Sequence, residues 1–347
     1  MEMDDIKKYV QDFFQDGTVT IIGSGLSIAE GLPSMGNLAN ELKTKMATLL
    51  ETEEDEEKWT QITEHFDRGL GLEQTLHEVE PTKSLEQNIR LLTANYIRSK
   101  EEDALKRVII ENDSFRLSEY LKRFNIRSND LTIITTNYDR LVEYSCELVN
   151  LRVDNLFVGK YFSKYLPSES KYSFCVRVTK GKRHNKKIEY APKIRILKPH
   201  GCLSWYLVND EPVSAPMMRE DNCLIITPGA NKYREGYNEP FDSQRTKANE
   251  AIDSAERFII VGYGFSDDHL ETHLRKQIST GKPTLILTHT LSDKANAIVK
   301  NFSNVLAFTC DTSGTKILSR NDEAFTVDVN LWDIREMVRE VFNGQAY

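Results

Sequence analysis

The chain has 347 residues, 39% of them hydrophobic and 28% charged, enough to bury a sizeable core in one large domain or two of ordinary size. Its net charge of -8 argues against a nucleic-acid-binding surface as its main feature, and no apolar run nears the roughly 18 residues of a membrane span. The start, "MEMDDIKKYV", is acidic where a secretory signal would be basic and then apolar, so a cytoplasmic location is expected; five scattered cysteines without a C-x-x-C pair predict buried apolar side chains, not disulfides or a zinc site.

Ile6, Tyr9, Val10, Phe13 and Phe14 recur at helical spacing until Gly17, and the β-branched run from Thr18 to Ile22 then predicts a strand. Gly23-Ser24-Gly25-Leu26-Ser27 follows as a strand-to-helix turn, where glycines let backbone N–H groups approach a pyrophosphate at a helix N-terminus and Ser27 adds a hydroxyl. The third glycine of G-x-G-x-x-G is replaced by Ile28, and the same turn also serves close packing. Gly31-Leu32-Pro33 breaks the helix early, which suggests a loop folded over a ligand. Residues 37 to 128 read as successive amphipathic helices, a large helical insertion in which "ETEEDEE" is expected to be a solvated face or joint.

Leu131 to Thr136 predicts a second buried strand, with Asn137 and Asp139 just past its end and a helix from Asp139 onward; one of the two is expected to cap that helix. "KYSFCVRVTKGKRHNKKIEYAPKIRILK" reads as a hairpin or an antiparallel excursion around the basic turn Lys180 to Lys187, itself either a solvated loop or a contact to an acidic partner or nucleic acid. His200, held between Pro199 and Gly201, is either a structural hydrogen-bonder or a proton acceptor, the task for which histidine is suited near neutral pH. "CLIITPG", "RFIIV", "TLILT" and "VLAFTC" predict further strands, and "VNLWDIREMVREVF" a closing helix.

In "VGYGFSDDH", Gly262 and Gly264 would let an adenosine approach the backbone, Ser266 or Asp267 would cap the next helix, and Asp267 with Asp268 would repel phosphate. His269 and His273 lie four apart without a third ligand, so a surface pair and no metal are expected. The alternation of strand and helix predicts a Rossmann-like doubly wound parallel α/β sheet.

Taken in order, these stretches resemble the sirtuin superfamily over about residues 13 to 280. Gly23-Ser24-Gly25-Leu26-Ser27 with Gly31, Pro33 and Met35 is similar to its first NAD loop, Thr136-Asn137-Tyr138-Asp139 to its Q-N-x-D motif, and His200-Gly201 to its His-Gly motif. "VGYGFSDDH" is closer to sirtuin-like bacterial effectors than to the deacylases. Thr136 stands where deacylases have Gln, Ser34-Met35-Gly36 replaces D-F-R, and the family's four-cysteine zinc module is missing from the sequence.

The resemblance implies a catalytic domain over 1–280, with 281–347 completing it or serving assembly, and NAD+ as substrate. It implies hydrolysis of NAD+ to nicotinamide and ADP-ribose by an antiphage effector, with an NAD-dependent deacylase and a non-enzymatic NAD or ADP-ribose sensing module as alternatives. Asn137 would orient water or the ribose and His200 act as general base. Gly23, Ser24, Gly25, Leu26, Ser27, Asp139, Gly262 and Gly264 would bind the nucleotide, Asp139 at the carboxamide. A homo-oligomer, or assembly with a HerA-type ATPase or helicase, would hold the activity in check.

Overall fold

The computed structural model describes residues 3–124, 131–180, 186–219, 222–227, 238–320 and 324–343. Helix α1 (Met3–Gln11) leads into the fully buried strand β1 (Thr18–Ile22) and a six-residue helix α2 (Ser24–Ala29). Gly31, at φ +95°, turns the chain away, and Ser34 starts α3 (Met35–Lys45) with a reciprocal cap to Asn37. Helices α4 (Glu53–Asp67), α5 (Leu72–Glu78), the 28-residue α6 (Lys83–Ile110) and α7 (Arg116–Arg123) continue the helical insertion. It has its own apolar cluster, built on Leu38, Leu42, Trp59, Ile62, Leu76, Leu85 and Ile89.

The chain then forms β2 (Leu131–Thr135), α8 (Leu141–Leu148), β3 (Val153–Asp154), β4 (Phe157–Val158), β5 (Ser163–Tyr165), β6 (Cys175–Lys180), β7 (Lys186–Tyr190), β8 (Ile194–Leu197), β9 (Trp205–Val208) and β10 (Glu211–Ser214). It ends with α9 (Phe241–Ser254), β11 (Arg257–Val261), α10 (Asp268–Ser279), β12 (Thr284–Thr288), α11 (Asp293–Asn301), β13 (Val305–Asp311), β14 (Gly314–Ser319), β15 (Phe325–Val327) and α12 (Ile334–Val341).

The main sheet has the order β15-β14-β13-β12-β11-β1-β2-β8-β3, parallel from β13 to β3 and antiparallel at β14 and β15. Helices cover both faces. Ile6, Val10, Leu117, Tyr120, Val142 and Met337 pack on one; Ala248, Ile252, Leu270, Leu274 and Ile298 pack on the other. This is the expected doubly wound α/β architecture. Because the chain builds outward from β1 to β2 and β8, then returns to β11 on the other side, the order reverses beside β1, where open α/β sheets bind ligands.

Several expectations are corrected. The run after the basic turn is split by Pro192: β6 and β7 form a separate two-stranded hairpin, whereas β8 joins the main sheet beside β2. Residues 181–185 of that turn lie outside the described residues. "CLIITPG" forms no strand through residues 223–227, because its backbone bonds to the His200 loop instead: Leu224 N–H donates to Trp205 O at 2.7 Å and Ile226 N–H to His200 O at 2.9 Å. Pro228 and Gly229 lie outside the described residues. Cys146, Cys202 and Cys223 are buried, but Cys175 is exposed on the hairpin and Cys310 is half-buried at the end of β13.

Within "ETEEDEE", Glu53, Glu54, Glu56 and Glu57 are exposed, but Asp55 is only 1% exposed. Its carboxylate accepts from Thr82 and from Ser84 Oγ at 2.6 and 2.7 Å, tying α4 to the start of α6. Those bonds, Ser84's foremost and then Thr82's, hold the Asp55 carboxyl below the usual range. A depressed folded pKa gives stability that is complete above the unfolded value and is lost as pH falls through the folded one. Asp55→Ala should therefore cost roughly 1–3 kcal/mol at pH 7, with the deficit shrinking as pH drops below about 4. Urea melts across that range test this, and a deficit independent of pH counts against it.

Candidate functional site

Loops leaving the C-terminal ends of β1, β2, β8 and β11 converge on a cavity of about 260 Å3 at the reversal point of the sheet. The β1 turn contributes Gly23, Ser24 and Ser27; β2 contributes Thr136 to Asp139; β8 contributes His200; and β11 contributes Tyr263, Gly264, Ser266 and Asp267. The opposite wall is the Gly31-Leu32-Pro33 break and the insertion: Leu32 to Met35, Leu38 of α3, Glu73 of α5 and Ile97 of α6. The insertion therefore forms one wall of the site.

The floor is a buried polar network. Asn137 Nδ2 donates to Gly23 O at 2.9 Å and Ser27 Oγ at 2.8 Å, so both amide hydrogens are used and Oδ1 is left as the side chain's acceptor. Ser27 Oγ donates to Asp139 Oδ2 at 2.7 Å, while Asp139 Oδ1 accepts the Leu141 N–H at 3.1 Å, in the first turn of α8. Asp139 thus serves both the helix start and the first loop.

Below it, Lys198 is fully buried, with Nζ 2.5 Å from Asp139 O and 3.2 Å from Glu143 Oε1. Burial opposes its charge, but the Glu143 carboxylate outweighs that, and the Lys198 pKa is raised. Arg140 spans from Glu101 of α6, which accepts its Nε–H at 3.0 Å, to Pro216 O at 2.8 Å, locking the insertion to the β2 loop.

His200 Nε2 is hydrogen-bonded to Asp267 Oδ2, and Asp267 Oδ1 caps α10 by accepting the Leu270 N–H at 3.0 Å. One carboxylate therefore orients the imidazole and anchors a helix. With Asp267 ionised, Nε2 carries the proton of the neutral ring and Nδ1 keeps the lone pair.

Of the residues singled out from sequence, Gly23, Ser24, Ser27, Asn137, Asp139, His200 and Gly264 line this cavity. Gly25, Leu26 and Gly262 do not. A Cβ on Gly25 would come within 2.6 Å of Gly262 Cα, so these glycines bring two loops together, and Leu26 is buried in the apolar layer. His273 Nδ1 pairs with Asp253 at 2.9 Å, and among the described residues no three His, Cys, Asp or Glu side chains cluster to hold a metal. Asp267 was legible as a helix cap only, since its pairing with His200 spans 67 positions. Lys198 carried no signal beyond a lysine at the end of a strand.

Residues 131–303 match the family described as SIR2-like domain. The match takes in the β2, β8 and β11 loops and leaves the β1 turn outside it. Among solved structures, one on the mechanism and regulation of Sir2 enzymes is 12% identical, with 98% of this chain and 97% of that chain covered and a TM-score of 0.42. Sir2Tm bound to a propionylated peptide is 12% identical, with 99% and 98% covered and a TM-score of 0.43. A structure on sirtuin substrate affinity is 11% identical, with 100% of both chains covered and a TM-score of 0.42. No curated protein sequence matches the chain. Among the described residues, no helix is long and apolar enough to cross a membrane.

Proposed function

We propose that this chain, which carries a SIR2-like domain over residues 131–303, hydrolyses NAD+ to nicotinamide and ADP-ribose. The observation that carries the reading is the meeting of Asn137, Ser27, Asp139 and the His200–Asp267 pair in one cavity beside the β1 turn. The bond to be broken joins the ribose anomeric carbon to a cationic pyridinium, which leaves without protonation. The site has to stabilise an oxocarbenium-like transition state and position water.

Asn137 suits that second task. Its amide hydrogens are pinned, so Oδ1 has a fixed direction in which to accept from water or a ribose hydroxyl. His200 is the general base at a ribose hydroxyl, with Asp267 stabilising the imidazolium. Asp139 binds the nicotinamide carboxamide or holds the loop that does. Thr136 at the cavity wall and the Ser34-Met35-Gly36 sequence, in place of the residues typical of deacylases, favour hydrolysis over deacylation.

In this reading the protein is a cytoplasmic antiphage effector, held inactive until it assembles as a homo-oligomer or with a HerA-type ATPase. Incubating the purified chain with NAD+, with and without a partner encoded beside it, and separating the products tests the reaction. Nicotinamide and ADP-ribose formed without peptide are expected. Nicotinamide release only with an acylated peptide would replace hydrolysis by deacylation. A raised melting temperature with NAD+ intact throughout would leave a sensing module.

A further inference from the structure

On the face of the sheet under α9, Ile21, Ile134 and Leu197 lie side by side in the apolar layer. Two residues earlier the same face turns polar on β2 and β8. Val19 stands beside Thr132, Thr132 beside Arg195, and Arg195 beside Asp154. These positions border a second cavity, of about 820 Å3, at the N-terminal edge of the strands and so at the opposite end from the site above.

Arg195 is the anomaly. It lies inside β8 with a hydrogen-bonded strand on each side, in a row whose neighbouring members are Asp154, Thr132 and Val19. It is half-buried, and its guanidinium has neither hydrogen bond nor ion pair among the described residues. Lys247 of α9, also half-buried and unpaired, lines the same cavity, as does Lys171. Two carboxylates border it as well. Asp154 is engaged by the Leu156 N–H at 3.2 Å and by Lys193 at 3.9 Å, and Glu250 is exposed on the outer side of α9. With Asp154 paired to Lys193, the cavity is lined by the unpaired Arg195 and Lys247, by Lys171, whose ammonium lies 5.0 Å from the Tyr172 ring centroid, and by the Glu250 carboxylate.

Holding a guanidinium partly out of water without a counter-charge is unfavourable, and it is repaid when an anion supplies one. A guanidinium fork and two lysines lining one cavity with Thr132 and Ser170 match the several acceptor oxygens of a phosphate group. We propose that this cavity binds a small phosphate-bearing molecule, at a site separate from the nucleotide cavity. The inference does not depend on the reaction proposed above.

The test is calorimetric titration of pyrophosphate into the full chain and four variants. Wild type, Asn137→Ala and His200→Ala are expected to bind it alike. Arg195→Met and Lys247→Ala are expected to bind at least tenfold more weakly while keeping the wild-type melting temperature or exceeding it. Pyrophosphate should raise the melting temperature of wild type and not of Arg195→Met, and added salt should weaken the effect. No binding by wild type, unchanged binding by both Arg195→Met and Lys247→Ala, or loss of binding in His200→Ala would each overturn the proposal. Binding of citrate in preference to pyrophosphate would overturn the phosphate assignment. If Arg195→Met fails to fold, Lys247→Ala on the helix surface decides alone.

Discussion

His200→Ala is expected to lower NAD+ turnover by on the order of 100-fold to 10,000-fold, the range for loss of a general base, while the protein still melts cooperatively. His200 is half-buried at the cavity rim, and its ring bond is to Asp267, so truncation opens the site without emptying the apolar core. Asp267→Asn is the sharper probe. Asparagine caps a helix about as well as aspartate, so the bond to Leu270 N–H and hence stability should survive. Its amide can neither accept the Nε2 proton nor stabilise an imidazolium if the –NH2 faces the ring, so turnover should fall by on the order of 100-fold or more. Asp267 acts through His200, so a fall in kcat with KM and melting temperature kept separates this role from a purely structural one. Normal kcat in Asp267→Asn removes the pair from the mechanism.

Much of the scaffold is legible in the sequence. Strands β1, β2, β11, β12 and β13 are runs rich in apolar and β-branched residues because both their faces are buried under helices, and burial on both faces erases alternation but not composition. β8 was hidden for the opposite reason. It is four residues long, contains Arg195, and follows the hairpin after only Ala191 to Lys193, so local pattern assigns it to the hairpin. The β9–β10 hairpin did carry a signal, the dipeptide Asn209-Asp210, whose φ values of 51° and 62° are those of a tight two-residue turn.

At the site, the loops could be found because each follows a strand, and strand ends share one rim. Their partnerships could not. That Asn137 binds Ser27, that Asp267 holds His200, and that α3, α5 and α6 roof the cavity are contacts across tens of residues with no local trace. The glycines show the same limit, since the sequence marks where backbone freedom is needed and not what comes close.

That ambiguity is open to a direct test, because two of the glycines make opposite predictions. Gly262 has φ +57°, and a Cβ there would lie 2.6 Å from Gly25 Cα and 2.7 Å from Leu26 N, backbone atoms that cannot rotate away. The two turns are also joined by hydrogen bonds from Gly23 N–H to Val261 O and from Gly25 N–H to Gly262 O, each 2.9 Å. Gly262→Ala must separate them, at a cost of roughly 2–5 kcal/mol from left-handed backbone strain and overpacking together. Gly23 O would move with its turn, and Asn137, which binds that oxygen, would lose its orientation. Both stability and turnover should fall.

Gly264 is different. Its added Cβ would meet only Ser266 Oγ, at 3.7 Å, and the residue lines the cavity. Gly264→Ala should therefore keep its urea midpoint, and any effect should appear as a raised KM for NAD+, since the methyl intrudes on ligand space alone. If instead Gly262→Ala melts like wild type and loses only NAD+ affinity, the close packing of the β1 and β11 turns is not what that glycine serves, and it returns to the ligand-contacting set.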